Sequence, residues 1–435
     1  MTKMKIQIKD NLKPEDNAML QALYSRSPAS VDDHLLKLEK SGSASFMDQY
    51  YVGYGHQSIG DCGSTTIFIE GVSMLVAKAI QDWPLYSGQE SSTRYMDFSN
   101  VEFHNPVIGQ PELGAEIQER WRTFYLNARV PMREHLLEKY PQQDGEDSKV
   151  YKRAIDARVF DVLRAFLPAG ASTNLSWHTN LRQAADHLGW LFSHPDLEVR
   201  NVAGVIYTKL CAAYPSSFRD PPKEHLIYTD EVMKNLYFIG REDQEVDPSW
   251  LCMHGMDELS CAQALPYLQK RPKGAPVPWW LAEEGVLHSM FMLDFGSYRD
   301  LQRHRNGTIR MPLLTLKHGF HQWYIDELPP GLWEEAVVLL RQQEKALEDL
   351  DCSEYTEQNY IAMGYKVPCC VSQGLPAFMY RLELRSGKTV HPTLRAVVLE
   401  EIKQFRKLFP SVALHVDEDP DSWTIRRGKQ TIEER

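Results

Sequence analysis

The chain has few of the features that mark several common protein classes. Its 435 residues include seven cysteines, an odd number without repeated Cys-x-x-Cys spacing. That excludes a disulfide framework and leaves adjacent Cys369 and Cys370 as reduced thiols. No apolar run approaches the roughly 20 residues needed to cross a bilayer. Met1 to Lys13 alternates charge with short apolar residues, unlike a signal peptide, so a cytoplasmic location is the expectation. Basic residues are in the minority, 48 Lys and Arg against 59 Asp and Glu, for a net charge of -11. This argues against a broad nucleic-acid surface and leaves room for a monomeric anion in a local basic pocket. No glycine-rich phosphate loop of the dinucleotide or P-loop type is present. Cys252, His254 and Cys261, like His318 and His321, lack four-ligand spacing, so no metal site is expected.

What remains is an ordinary globular composition, 43% hydrophobic and 25% charged, long enough for two or three domains. Apolar spacing predicts two helices across residues 15 to 40, with Ser30 capping the second. It also predicts a long helix from Glu112 to Lys139 containing Pro131, one from Lys149 to Phe166 stopped by Leu167-Pro168, a loop at Thr173 and Asn174, a helix carrying Arg182, and a helix from Pro195 to Tyr214. Residues 216 to 250 hold Pro221-Pro222, Asp247-Pro248 and many charges, the composition of a linker.

The halves share landmarks. His194-Pro195, Arg200 and Pro215 are matched by His391-Pro392, Arg395 and Pro410, with fifteen residues from Arg to Pro in both, and Leu167-Pro168 is paired with Val367-Pro368. Three such matches imply a duplicated fold, roughly 15 to 220 and 250 to 418.

The chemically dense stretch runs from Gly55 to Tyr95. Gly55-His56-Gln57-Ser58 lies in a glycine-bracketed turn whose backbone N–H groups could meet a phosphate. Further on, Gln89, Glu90, Ser92 and Arg94 crowd a carboxamide, a carboxylate, a hydroxyl and a guanidinium into six positions. In an extended backbone Glu90, Ser92 and Arg94 would share one face. The alternatives are a capping turn for the first element and a polar surface loop for the second. Arg303-His304-Arg305 sets two guanidiniums around an imidazole, suited to phosphate oxygens; the alternative is a solvated cluster paired with Asp294 or Asp300.

Together, Gly55-His56-Gln57-Ser58 and Ser92-Thr93-Arg94-Tyr95 resemble the flavin-dependent thymidylate synthase family. There an Arg-His-Arg triplet stands thirteen to eleven positions before the Tyr; here Asp82-Trp83-Pro84 occupies those positions and the triplet appears at 303–305. The losses in the two halves are complementary. The resemblance implies an α/β (α+β) fold of two tandem thymidylate synthase complementing protein-like domains, each a small sheet packed by helices: 1–220, a linker 221–250, 251–418, and a tail 419–435. It implies FAD bound by His56, Ser58, Arg303, His304 and Arg305. It implies dUMP bound by Gln89, Glu90, Ser92, Arg94 and Arg182, with Ser92 and Arg94 closest to the chemistry. Arg164 matches a recurrent family arginine. Methylenetetrahydrofolate and NADPH would be co-substrates in the conversion of dUMP to dTMP, and two chains would form a pseudo-tetramer. Departures are Asp61 and Cys62, where the family has Glu and His, and Thr208 and Lys403 at the position of a nucleotide-contacting arginine. These keep open flavin chemistry on a different pyrimidine nucleotide, and a non-catalytic nucleotide- or flavin-binding scaffold.

Overall fold

The computed structural model describes residues 12–25, 27, 29–53, 56–94, 97–218, 231–232, 251–256 and 266–419. Most of the expected 221–250 linker and nearly all of the 419–435 tail lie outside the described residues, as do Gly55 and Tyr95. The chain divides into two compact units that interleave in sequence. The first holds residues 1–70, 85–90 and 174–233, the second 71–84, 91–173 and 234–435.

In the first unit, helix Pro14–Tyr24 precedes helix Val31–Ser41. Ser30 starts the latter through a capping box: its Oγ accepts the Asp33 N–H at 3.3 Å, and Asp33 accepts the Ser30 N–H at 3.0 Å. Strands β1 (Ser64–Ser73), β2 (Ser87–Glu90) and β3 (Ser172–Asn180) form a three-stranded sheet in the order β1-β3-β2. Strand β3 corrects the loop expected at Thr173 and Asn174. Thr173, Leu175, Trp177 and Thr179 are buried in strict alternation, a period-two pattern disguised by threonines on the buried face. Strands β2 and β3 are antiparallel, with Gly88 opposite Trp177. A Cβ at Gly88 would lie 1.9 Å from the Ser176 carbonyl oxygen, so only glycine fits there. Helices Leu181–Phe192 and Leu197–Ala213 follow, each capped by an Asn or Asp side chain.

The second unit contains a four-stranded antiparallel sheet in the order β4-β5-β7-β6: Leu251–Met256, Gly285–Asp294, Lys366–Gly374 and Thr308–Arg310. Helices Leu375–Arg385 and Pro392–Leu408 pack with it. Its core also takes up helices Pro111–Lys139, Ser148–Leu163 and Leu332–Glu348, through Trp121, Ile155 and Ala336 among others. Pro131 lies inside the first of these, as the sequence predicted.

The order strand, short helix, turn, short strand, helices, 3-10 turn, strand, helix, helix occurs in each half. Helices Leu197–Ala213 and Pro392–Leu408 have 17 residues each, with Arg200 and Arg395 at their fourth positions. One landmark is corrected. Val367-Pro368 lies inside β7, facing Leu293 and Met292, whereas Leu167-Pro168 follows a 3-10 turn. The segment after the second half's 3-10 turn is Ile361-Ala362, and Pro168 bridges Ala362 directly. A shared proline misled the match because its position within the element differs. Among the described residues, no helix is long and apolar enough to cross a membrane.

Candidate ligand-binding site

The basic triplet sits in the turn between helix Phe295–Leu301 and β6. Asp294 starts that helix by accepting the Ser297 N–H at 2.9 Å, and Gln302 ends it. Gly307 lets the chain re-enter the sheet, with φ of +121°; a Cβ there would lie 2.6 Å from Gln373 Cγ and from the Ser372 carbonyl oxygen. The three side chains then differ in exposure. Arg303 is exposed, Arg305 half-buried, and His304 buried at 8%.

Two openings flank the turn. A cleft of about 830 Å3 is lined by Arg303, His304, Arg305, Arg271 and Arg385, with Trp279 and Tyr380 as aromatic walls. This falls within the range of roughly 300–1,000 Å3 common for small-molecule sites. Arg271 is fixed by the Ala275 carbonyl at 2.6 Å and by Glu383, while its Nε is buried without a partner among the described residues. A smaller cavity of about 200 Å3 lies between Asp82-Trp83-Pro84 and His304-Arg305. The position that lacks the triplet thus faces the triplet itself. Gln302 Nε2 spans the two, donating to Asp82 Oδ1 at 2.6 Å and to the Lys78 carbonyl at 3.0 Å.

Asp300 is the electrostatic centre of this region. Burial alone would raise its pKa, but the charges of Arg94, Arg303, Arg164 and Arg385 outweigh it and hold the carboxyl down at about 2. Arg164 and Arg303 approach it at 3.9 and 3.8 Å. An arginine of the Ser-x-Arg-Tyr element and an arginine of the distant triplet therefore act on one carboxylate. The imidazole of His304 behaves oppositely. Burial first, then Arg385, Arg381 and Arg305, push its pKa down to about 2. The depressed pKa favours a neutral ring between the two guanidiniums of the triplet.

The nucleotide element does not keep the extended run assumed for Glu90, Ser92 and Arg94. Strand β2 ends at Glu90, and the chain turns at Thr93 and Arg94. Ser92 Oγ accepts the Arg94 N–H at 3.3 Å, and Arg299 holds the Ser91 carbonyl and Thr93 Oγ1, both at 3.2 Å. Arg94 is drawn inward. Its Nε and Nη2 bind Asp161 at 2.7 and 3.3 Å, and Nη2 also donates to the Thr389 carbonyl at 3.2 Å. Nη1 keeps its donors without a partner among the described residues. Arg164 is likewise buried, donating to Ser297 Oγ at 3.1 Å.

The other expected residues belong to the first unit. Gln89 is exposed and Glu90 half-buried at the end of β2. His56 and Ser58 are exposed at the start of a 3-10 turn, Gln57–Cys62. Arg182 opens its helix and pairs with Asp61 at 2.7 Å, both about one-third exposed. Asp61 thus takes a carboxylate role, whereas burial and then Asp61 raise the pKa of the Cys62 thiol, which offers no basic nitrogen. Sequence reasoning missed Arg271, Arg385 and Asp161, and offered Asp300 only as a partner of the triplet in the alternative reading. The only signal was weak: Arg381 and Arg385 lie four residues apart, on one helical face.

Residues 9–216 match the family model described as thymidylate synthase complementing protein. Similar curated proteins include a UPF0159 protein of Chlamydia muridarum, 24% identical, covering 89% of this chain and 83% of that protein. Another UPF0159 protein, of Thermoplasma acidophilum, is 22% identical and covers 92% and 94% respectively. Among solved structures, similarity is found to a flavin dependent thymidylate synthase ThyX from Helicobacter pylori complexed with FAD and dUMP. That match has 18% identity, 48% of this chain, 96% of that chain and a TM-score of 0.31.

Proposed function

We propose, from the match of residues 9–216 to the family model described as thymidylate synthase complementing protein, that this chain is a flavin-dependent enzyme acting on a pyrimidine nucleotide. In its specific form the reading is methylation of dUMP to dTMP, with FAD as cofactor and methylenetetrahydrofolate and NADPH as co-substrates. The observation that carries it beyond the family match is the basic, aromatic-walled cleft at Arg303, His304 and Arg305. The donor set fits a flavin nucleotide. Guanidiniums suit a pyrophosphate, the buried and unpartnered Arg271 Nε suits an acceptor, and Trp279 and Tyr380 offer faces to a ring.

When bound, the flavin supplies the hydride. The chain's residues bind, orient and shield. Arg303 and Arg305 hold negative charge at the cleft mouth. By the resemblance, His56 and Ser58 are assigned to flavin, and Gln89, Glu90, Ser92 and Arg182 to the nucleotide. Arg94, oriented by Asp161, offers its remaining Nη1 donors to the nucleotide phosphate. The halves are tandem copies of one domain that divide these roles, and two cytoplasmic chains form a pseudo-tetramer.

The test is the visible spectrum of the purified protein, followed by tritium release from 5-tritiated dUMP with methylenetetrahydrofolate and NADPH. Bound flavin with release supports thymidylate synthesis. Bound flavin without release favours another pyrimidine nucleotide, the second reading, motivated by Cys62 and Thr208. Colourless protein that takes up no FAD favours a scaffold. Arg303→Ala is expected to lose flavin, and stoichiometric retention would refute the assignment of the triplet.

A further inference from the structure

His304 has one side-chain hydrogen bond among the described residues: its Nε2 lies 2.8 Å from Arg385 Nε. A guanidinium can only donate, so that imidazole nitrogen must present its lone pair. Arg385 is itself anchored, with Nη2 donating to the Asp300 carbonyl at 2.7 Å. One helical turn earlier, Arg381 is fully buried, bound to Glu401 at 2.5 and 2.8 Å and to Gln373 Oε1 at 2.9 Å. The same Gln373 donates to the Asn306 carbonyl at 3.0 Å. Helix Leu375–Arg385 therefore grips the triplet turn at two places, with Arg381 holding its frame and Arg385 its histidine.

We infer that Arg385 is a positioning residue that fixes His304 as a neutral imidazole with its single proton on Nδ1. The triplet then presents two fixed charges and one uncharged donor. The groups facing His304 agree. Arg305, Arg381 and Arg385 oppose a positive ring, Asp300 favours it, and the Tyr380 ring meets it edge-on at 6.0 Å. His304 is thereby unsuited to act as a phosphate cation or a general acid. Its Nδ1–H is suited to a neutral acceptor, a carbonyl oxygen or ring nitrogen of a heterocycle in the cleft it lines. The identity of that heterocycle rests on the proposed function; the tautomer does not.

The experiment is long-range proton–nitrogen correlation NMR on the full chain, deuterated and labelled with 15N-histidine, with His304 assigned by its loss in His304→Gln. The expected wild-type pattern has a protonated Nδ1 and a bare Nε2, unchanged from pH 8 to pH 5.5. A proton on Nε2, or titration within that range, overturns the inference. Arg385→Met is expected to release the ring, populating the Nε2–H tautomer or bringing its protonation into the range, and Arg385→Lys is expected to restore the wild-type pattern. The remaining histidine signals report whether each variant is folded, and a wild-type pattern in folded Arg385→Met also overturns the inference. Flavin absorbance of the same samples separates the readings: colourless protein with the expected tautomer would overturn the proposed function alone.

Discussion

Arg94→Ala separates structural from ligand-binding roles most sharply. Its guanidinium meets Asp161 through two nitrogens, and the Asp161 side chain is fully buried while that of Arg94 is 11% exposed. Removing one partner of such a pair leaves an uncompensated buried charge, at a cost of about 3–5 kcal/mol. For a unit of about 300 residues that corresponds to a fall in Tm of roughly 5–8 °C. Thermal unfolding followed by circular dichroism reads the effect. Arg94→Met combined with Asp161→Leu should recover most of the loss, because apolar groups of similar volume avoid the desolvation penalty. Nucleotide affinity is then compared, below the melting range, between wild type and the double variant; loss in the stable double variant isolates the contribution of the Nη1 donors. A single variant melting within 2 °C of wild type would refute the structural reasoning, and unchanged nucleotide affinity in the double variant would move the phosphate site elsewhere.

The Asp300 carboxyl titrates near 3.8 when unconstrained and at about 2 in the fold. Its stabilisation of roughly 2–3 kcal/mol is therefore present above pH 4 and lost as pH falls through about 2. Asp300→Asn should lower the urea midpoint at pH 7, and equal midpoints would contradict the four-arginine cluster. His304 and His391 are held neutral, the latter wholly buried with its pKa well below the usual imidazole value through burial and then Arg164 and Arg94. Unfolded imidazoles bind protons below about pH 6.5 and these do not, so each should cost about 1.4 kcal/mol of stability per pH unit on acidification. His391→Gln should flatten the stability profile between pH 6.5 and 5 by about that slope, measured in urea. Gly307→Ala, strained at positive φ and crowded by Gln373, should cost about 1–3 kcal/mol and displace the triplet turn. Its readout is flavin stoichiometry by absorbance, and full occupancy would show that the turn tolerates a side chain.

Local chemistry was the legible part. Ser30 and its capping box, the long helix containing Pro131, and the helix stopped at Leu167-Pro168 all follow from interactions within a few residues. The isolated elements of the site were legible too, because each is a short motif. What joins them was not. Arg94 finds Asp161 67 positions away, and Arg385 finds His304 across 81. Such pairings depend on the folded path and leave no local spacing to read. The protonation of His304 was hidden for the same reason. In sequence it stands between two guanidiniums with nothing to set its protonation, whereas burial removes the water that would solvate a charged ring.

The division between the halves has a physical rationale in the small cavity. Positions 82–84, His304 and Arg305 line it together, so in the proposed duplication an intact triplet at 82–84 would add two guanidiniums to that of Arg305 around about 200 Å3. Asp82 removes that repulsion. Its Oδ2 pairs with buried Lys78 at 2.6 Å, and its Oδ1 takes the Gln302 amide that caps the triplet's own helix. Loss of charge at one triplet thereby supports the other. Asp82→Arg reverses this, exchanging attraction at Lys78 for repulsion, each on the order of 4 kcal/mol at about 4 Å and an effective dielectric near 20, and leaves Gln302 Nε2 with the Lys78 carbonyl alone of its two acceptors. The expected result is a lower Tm together with weaker flavin retention, while Asp82→Asn keeps the amide contact and loses only the ion pair. If Asp82→Arg retains both wild-type stability and flavin, the two triplet positions do not oppose one another and the complementary losses need another cause.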